Sequence, residues 1–219
     1  MVRTRKETQM PQLQLILVNN SGVAGNMVVF QVMLGMSNQQ VVAWFAKYAY
    51  SGTDIQFSWN PNDWSLVWSA TGKIQNGVMF RASQVVPAGL DTQNQITLSY
   101  DSTHRAFHFT DQHDGEPKGS LIIVQDSSVP IDSAATGIGM SGQPSFVVQA
   151  QPNRQSVFTP HPQYWVFFGD VQQGEFFDAS EATMYGALVD FPPNITSMTA
   201  TRNPDGTWIV SPNVMTKEA

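Results

Sequence analysis

Beyond residue 50 the chain is cut into short β-forming runs that recur about every 8–15 residues, each ended by Gly, Pro, Asn or Asp. No segment there reads as a helix. A parallel sheet needs a crossover of a dozen or more residues between successive strands, usually helical. The spacing leaves no room for such crossovers, so the chain is restricted to an antiparallel all-β architecture. The first run sets the pattern: Leu13, Leu15 and Leu17 alternate with other residues and share one face. Asn19 to Asn26 interrupts it and Met27 to Met33 resumes it, so residues 12–33 read as a hairpin with a long loop.

One segment breaks the pattern. Ser37 and Gln40 fit a capping box, and Val41, Trp44, Phe45 and Tyr48 follow at helical spacing. This predicts a short helix near residues 38–48, with Val-Val-Ala-Trp-Phe as a competing strand signal. Further on, Asp54–Trp59 and Trp64–Ser69 flank the turn formers Asn60 to Asp63. Gln95–Tyr100 and Arg105–Thr110 read as a hairpin across Asp101 to Thr103. Phe146–Ala150 precedes a turn at Pro152-Asn153, and Tyr164–Phe168 follows a Pro-His-Pro knot. Met198–Arg202 and Thr207–Val210 read as a hairpin across Asn203 to Gly206.

Composition narrows the function. The 219 residues are 42% hydrophobic, ample for a core, but only 13% charged, about half the usual share. A neutral polar surface carries little like-charge repulsion, which predicts a homo-oligomer and suits sugar contacts. The net charge of −6 excludes a generic nucleic-acid surface. The absence of cysteine excludes disulfides, zinc thiolates and thiol nucleophiles. No run approaches the length of a membrane span. The apolar stretch Leu13 to Val18 is too short for a signal peptide, so a cytoplasmic location is expected, with non-classical export left open.

No catalytic motif survives inspection. Gly137-Ile-Gly-Met-Ser-Gly142 matches the dinucleotide fingerprint in letters, but a strand follows it where a helix is needed. Tight turns or close strand approach account for these glycines better. His104 and His108 stand about 13 Å apart on a strand, too far to share an ion. Asp111 to Glu116 is a polar loop whose oxygens offer an alternative cation site. Asp170, Glu175, Asp178 and Glu181 do not pair as an acid and base. His161, held between Pro160 and Pro162, presents its ring in a fixed place. Tyr164 follows it with a ring face and a hydroxyl. Trp59, Trp64 and Trp68 cluster at a turn, and Trp64, nearest that turn, is the one expected at the surface as a stacking platform, although core packing explains most tryptophans.

Six stretches together resemble a bacterial family. They are Val42-Ala-Trp-Phe-Ala-Lys47, Phe57-Ser-Trp59, Val67-Trp-Ser-Ala-Thr-Gly72, Gly137–Gly142, Phe158-Thr-Pro-His-Pro-Gln-Tyr-Trp165 and Asp205-Gly-Thr-Trp208. The pattern is similar to that of the rhizosphere-expressed RhiA family of plant-associated bacteria, over about residues 12–210. The resemblance implies an accessory protein tied to quorum-sensing control and life near plant roots. It supplies no activity and no catalytic residue.

The sequence therefore predicts a single antiparallel β-sandwich over residues 12–212 with jelly-roll-like connectivity, one short helix near 38–48, and flexible tails at 1–11 and 213–219. The expected function is non-enzymatic binding, with carbohydrate as the ligand and Trp64, His161 and Tyr164 as its contacts. No cofactor, metal or catalytic residue is expected. A self-assembling structural protein is the alternative, and a hydrolase or metal enzyme using His161 or the Asp111–Glu116 loop is the second.

Overall fold

Leu15 and Leu17 are fully buried and Leu13 packs against them, so the alternation in the first run marks a core face. The computed structural model describes residues 12–33 and 40–214. The tail expected over 1–11, residues 215–219 of the C-terminal tail, and Ser37 with the first two positions of the expected helix lie outside the described residues. In chain order the first strands are β1 (Leu13–Asn19), β2 (Gly25–Met33), β3 (Gln40–Ala49), β4 (Thr53–Trp59), β5 (Trp64–Ser69) and β6 (Gln84–Ala88). There follow β7 (Gln95–Asp101), β8 (Ala106–His113), β9 (Leu121–Gln125), β10 (Ala135–Met140), β11 (Gln143–Gln149) and β12 (Arg154–Phe158). The last are β13 (Pro162–Gly169), β14 (Phe176–Asp178), the helix α1 (Ala179–Tyr185), β15 (Ala187–Val189), β16 (Ser197–Arg202) and β17 (Trp208–Pro212).

The strands form four sheets, ordered β17-β16-β1-β4, β11-β10-β5-β6, β12-β9-β7-β8 and β14-β3-β2-β13-β15. Only β1 with β16 and β7 with β9 run parallel among the described pairs. One core receives side chains from every sheet: Leu17 and Ala200, Leu66 and Ile138, Leu98 and Ile123, Val29 and Val166. This is the all-β, sandwich-like packing that the recurring runs predict. The hairpins β7–β8 and β16–β17 form as expected.

The helix expected near 38–48 is instead strand β3. The helical spacing has a physical cause. Between Val29 and Phe30 the register with β2 slips, so Val29 faces Phe45 while Phe30 faces Ala43, and Trp44 is the extra residue of a bulge. A bulge breaks the two-residue period. Trp44 and Phe45 both turn into the main core, with ring centroids 4.2 Å apart. Val41 and Ala43 face a separate cluster that includes Phe177 and Ala182 near α1. Valines at 41 and 42, stiff at χ1 and buried on both sides, favour the pleated surface.

The hairpin expected over residues 12–33 does not form. β1 pairs with β4 and β16, whereas β2 pairs with β3 and β13. Met27 to Phe30 are buried at successive positions, which needs cover on both faces and a central place in a sheet. Asn19 turns the chain between the two sheets. Its buried amide donates to the carbonyls of Val23 (2.9 Å) and Ala49 (3.0 Å), and its oxygen accepts from the Ser21 amide and hydroxyl. Likewise the turn at Asn153, with φ of 55°, joins β11 to β12 in a different sheet.

The actual helix, α1, starts at Asp178, whose carboxylate accepts from the Ser180 amide at 2.7 Å, with Glu181 in the first turn. The glycine motif at 137–142 is structural. Ser141 (φ 50°) and Gly142 (φ 75°) form the two-residue turn between β10 and β11, a conformation that matches strand twist. Ser141 also fastens the Asn60–Asp63 turn: its hydroxyl meets the Asn60 amide at 2.8 Å and its amide donates to the Asp63 carbonyl at 2.8 Å.

Asp126 ties the β9 end to its neighbours. Burial pushes its carboxyl up, but the Ser128 and Ser99 hydroxyls and the Ser128 amide outweigh this and hold it below the ordinary value of 3.8. A depressed folded-state pKa adds stability above the unfolded-state value, and that stability is lost as pH falls through the folded one. Acid titration monitored by circular dichroism should therefore show Asp126→Asn to be less stable than wild type at pH 6. The gap should narrow below about pH 3.8. A gap independent of pH would rule out this linkage.

Candidate functional site

Tyr164 sits in β13, opposite Gln31 of β2 on one side and Val189 of β15 on the other. Beside it lies a cleft of about 300 Å³, lined by Pro162–Tyr164 of β13 and by the Leu188–Phe191 segment that ends β15. The edge strand β15 is only three residues long. β15 pairs no further than Tyr164, so among the described strands Pro162 and Gln163 have no partner on that edge and border the cleft. Pro192 and Pro193 follow Phe191 and stop the chain from continuing as strand.

The cleft floor is aromatic. Phe191, half-buried, meets Tyr164 edge to face at 5.9 Å and 85°, and Trp59 at 5.7 Å and 89°. Trp59 and Tyr164 lie 5.0 Å apart, and Trp44 packs against both at 5.1 and 5.9 Å. Met140 of β10 is the hub behind these rings. Its carbonyl accepts from the Trp44 indole at 3.1 Å, and its sulfur accepts from the Tyr164 hydroxyl and the Gln31 amide, each at 3.8 Å. Burial pushes the Tyr164 phenol above its ordinary pKa of 10.0, and the nearby Trp59 N–H offsets this only in part. Tyr164 is therefore neutral at physiological pH. At the rim, Gln163 and the exposed Asp190 supply an amide and a carboxylate.

The sequence-predicted contacts separate here. Tyr164 is 9% exposed and lines the cleft. His161 is exposed one residue before the lining begins, with Nδ1 3.3 Å from the Thr159 carbonyl. Trp64, expected at the surface, is 4% exposed. It packs in the main core, paired across the sheet with Met140. The turn at Asn60–Asp63 is held down by Ser141, so it does not lift the Trp64 ring outward. Trp64 is thus removed as a stacking platform. Trp59 was named from the sequence as part of a tryptophan cluster; Gln31, Met140, Asp190 and Phe191 were not singled out as site residues. Gln31 alone gave a signal, as one amide in the apolar run Met27–Met33.

The other candidates are committed elsewhere. Asp101 accepts from the Thr103 and His104 amides and holds the His104 ring at 2.6 Å; that ring is the main cause of its lowered pKa. In the Asp111–Glu116 loop, Asp114 accepts from the Gln93 amide and Glu116 from the Lys118 amide. Glu175 accepts from the Gln172 amide. Among the described residues no three His, Asp or Glu side chains group closely enough to hold a metal ion. No helix among the described residues is long and apolar enough to cross a membrane. A second cleft of about 300 Å³ lies between Phe80–Ala82 and Gln143, where Gln143 is bonded to Gln173 at 2.8 Å.

Comparison with known proteins completes the description. No solved structure matches the chain. Protein RhiA of Rhizobium leguminosarum bv. viciae is 32% identical over 205 residues, which span 92% of this chain and 87% of that protein. The RhiA family pattern matches residues 10–213. With nearly the whole fold covered, including the cleft and the Met140 hub, the chain belongs to the RhiA family.

Proposed function

We propose that this RhiA-family protein is a non-enzymatic binding module of a bacterial accessory system, and that it takes up a carbohydrate in the cleft between β13 and the end of β15. The observation that carries the reading is the Phe191 ring, braced edge-on by Tyr164 and Trp59 and flanked by Gln163 and Asp190. A sugar ring has an apolar C–H face and a rim of hydroxyls. Phe191 offers a surface to the first, and the carboxylate and amide offer partners to the second. The braced ring loses little freedom when a ligand settles on it. The cleft volume lies at the small end of ligand sites, fitting a mono- or disaccharide rather than a long chain.

A glycan array followed by calorimetric titration of the best hit tests the reading. Asp190→Ala removes hydrogen bonds to a charged acceptor, worth about 1.5–3 kcal/mol. It should weaken binding by about tenfold or more. Phe191→Ala should weaken it comparably. If no glycan binds at millimolar concentration, or if both variants bind as wild type does, the reading is wrong.

A further inference from the structure

The second cleft, of about 300 Å³, lies between the Phe80–Ala82 segment, β6, the β10–β11 turn and the turn at Gly174. Its frame is backbone. The Phe80 amide donates to the Gly174 carbonyl at 2.7 Å, and the Gly174 amide donates to the Ala43 carbonyl of β3 at 2.8 Å. Gly174 (φ 86°) leaves no room for a side chain, since a Cβ would stand 2.8 Å from the Phe80 carbonyl oxygen. A cleft framed in this way is formed before anything enters it, so binding has little to order. Its lining is of two kinds. Ala82, Pro144 and Val85 are apolar, and Val85 is a large apolar side chain left 43% exposed. Arg81 and Gln143 bring donors. The Gln143 Oε1 is taken up by the Gln173 amide at 2.8 Å, which leaves the Gln143 amide hydrogens to spare. Arg81 is exposed and is the one charged residue of the lining. The ion pairs among the described residues join His104 to Asp101 and His113 to Asp111, so Arg81 has no acidic partner there. Glu175, next to Gly174, keeps its carboxylate on the Gln172 amide at 2.9 Å and stays out of the lining. In a chain of net charge −6, the arginine at this cleft is thus left unpaired.

We propose that this cleft is a second ligand site, for a small organic acid whose carboxylate meets Arg81 and Gln143 while its hydrocarbon part lies on Val85 and Pro144. An arginine presents a planar fork of N–H donors that matches the two oxygens of a carboxylate. Covering the exposed Val85 surface adds a contribution that a bare anion cannot make. The site is independent of the cleft beside β15, where the charged residue is Asp190, whose carboxylate would repel such a ligand.

Benzoate is the probe, set against benzamide, its neutral isostere, and against inorganic phosphate. Titrations of the full chain are read in proton–nitrogen and methyl correlation spectra. Benzoate should move the Arg81 Nε–H, the Gln143 side-chain amide and the Val85 methyls, and leave the Asp190 and Phe191 signals in place. Benzamide should bind at least about tenfold more weakly, and Arg81→Gln should weaken benzoate by a similar factor. Added salt should weaken benzoate further. Val85→Ser should weaken benzoate but leave the response to phosphate as it is. Equal binding of benzoate and benzamide overturns the proposal, as does a benzoate affinity unchanged in Arg81→Gln. Phosphate bound as tightly as benzoate overturns it too, since the apolar lining would then have no part. So does a benzoate response at Phe191 in place of Val85, or no response to benzoate at millimolar concentration. The wild-type comparison of benzoate with benzamide decides the matter even if a variant does not fold. None of these results bears on the carbohydrate reading, which is tested at the other cleft.

Discussion

Trp44→Ala should lower the free energy of unfolding by about 3–5 kcal/mol, as expected for removing a large ring from a packed core. Trp44 is 0% exposed and packs on Phe45, Trp59 and Tyr164, while its N–H holds the Met140 carbonyl at 3.1 Å. Truncation leaves a cavity at the point where β3, β4, β10 and β13 meet. Domains of this kind are stable by only about 5–15 kcal/mol, so the loss is a large share of the total. Two milder variants sharpen the test. Trp44→Phe breaks a hydrogen bond that is made, while Trp59→Phe removes a donor that lies beside the Tyr164 hydroxyl without completing a hydrogen bond among the described residues. Urea unfolding followed by tryptophan fluorescence should rank Trp44→Ala below Trp44→Phe and Trp44→Phe below Trp59→Phe. A Trp44→Ala midpoint close to that of wild type would refute the central place given to this ring.

Gly137→Ala should be more damaging than its size suggests, with a loss of at least about 3 kcal/mol. A Cβ at Gly137 would stand 2.0 Å from the Phe146 carbonyl oxygen and 2.8 Å from the Val147 Cα, both backbone atoms. Side chains can rotate away from an intruding methyl, but these atoms cannot. β10 is also held on both sides, by β5 and β11, so it has nowhere to shift. Gly142→Ala is the matched control. It meets nothing within 4 Å, but its φ of +75° disfavours any side chain, at a cost of about 1–2 kcal/mol. Soluble yield and thermal midpoint should fall steeply for Gly137→Ala and modestly for Gly142→Ala. The reverse order would mean that strand approach is not what these glycines provide.

Local signals predicted local structure. The hairpins β7–β8 and β16–β17 were legible because turn residues and alternation sit within one short stretch. The glycine motif was legible as a turn because a strand, not a helix, follows it. Long-range pairing was not legible. Nothing within residues 12–33 says that β1 pairs with β16 and β2 with β13. β3 misled because both of its faces are buried: Val41 turns to one cluster while the bulge sends Trp44 and Phe45 together to the other, so apolar letters fall at helical spacing without sharing a face. The true helix did carry a signal, Asp178 with Glu181 three residues later, but it was masked by reading those acids as candidate chemistry. β12 escaped notice because Arg154 and Gln155 face outward and only Ser156 and Phe158 turn in. At the site, Tyr164 was legible from its neighbours in sequence. Trp59 was named only as one of a tryptophan cluster, and Met140 and Phe191 were not named for the site, since the three come from separate segments that meet only in the folded core.

The pairing of β1 with β16 also bears on how the chain is made. Leu15 and Leu17 leave the ribosome well before one of their sheet partners, Met198–Ala200, has been made. Until β16 is made the strand waits with a bondable edge and an apolar face, and closing so long a loop slows the search for its partner. Truncation ahead of β16 would leave β1 as an open edge, a template for pairing with another nascent chain. The sheet that contains β1 is thus completed only after β16 and β17 are made, and a chain truncated before them is prone to aggregate rather than to fold in part.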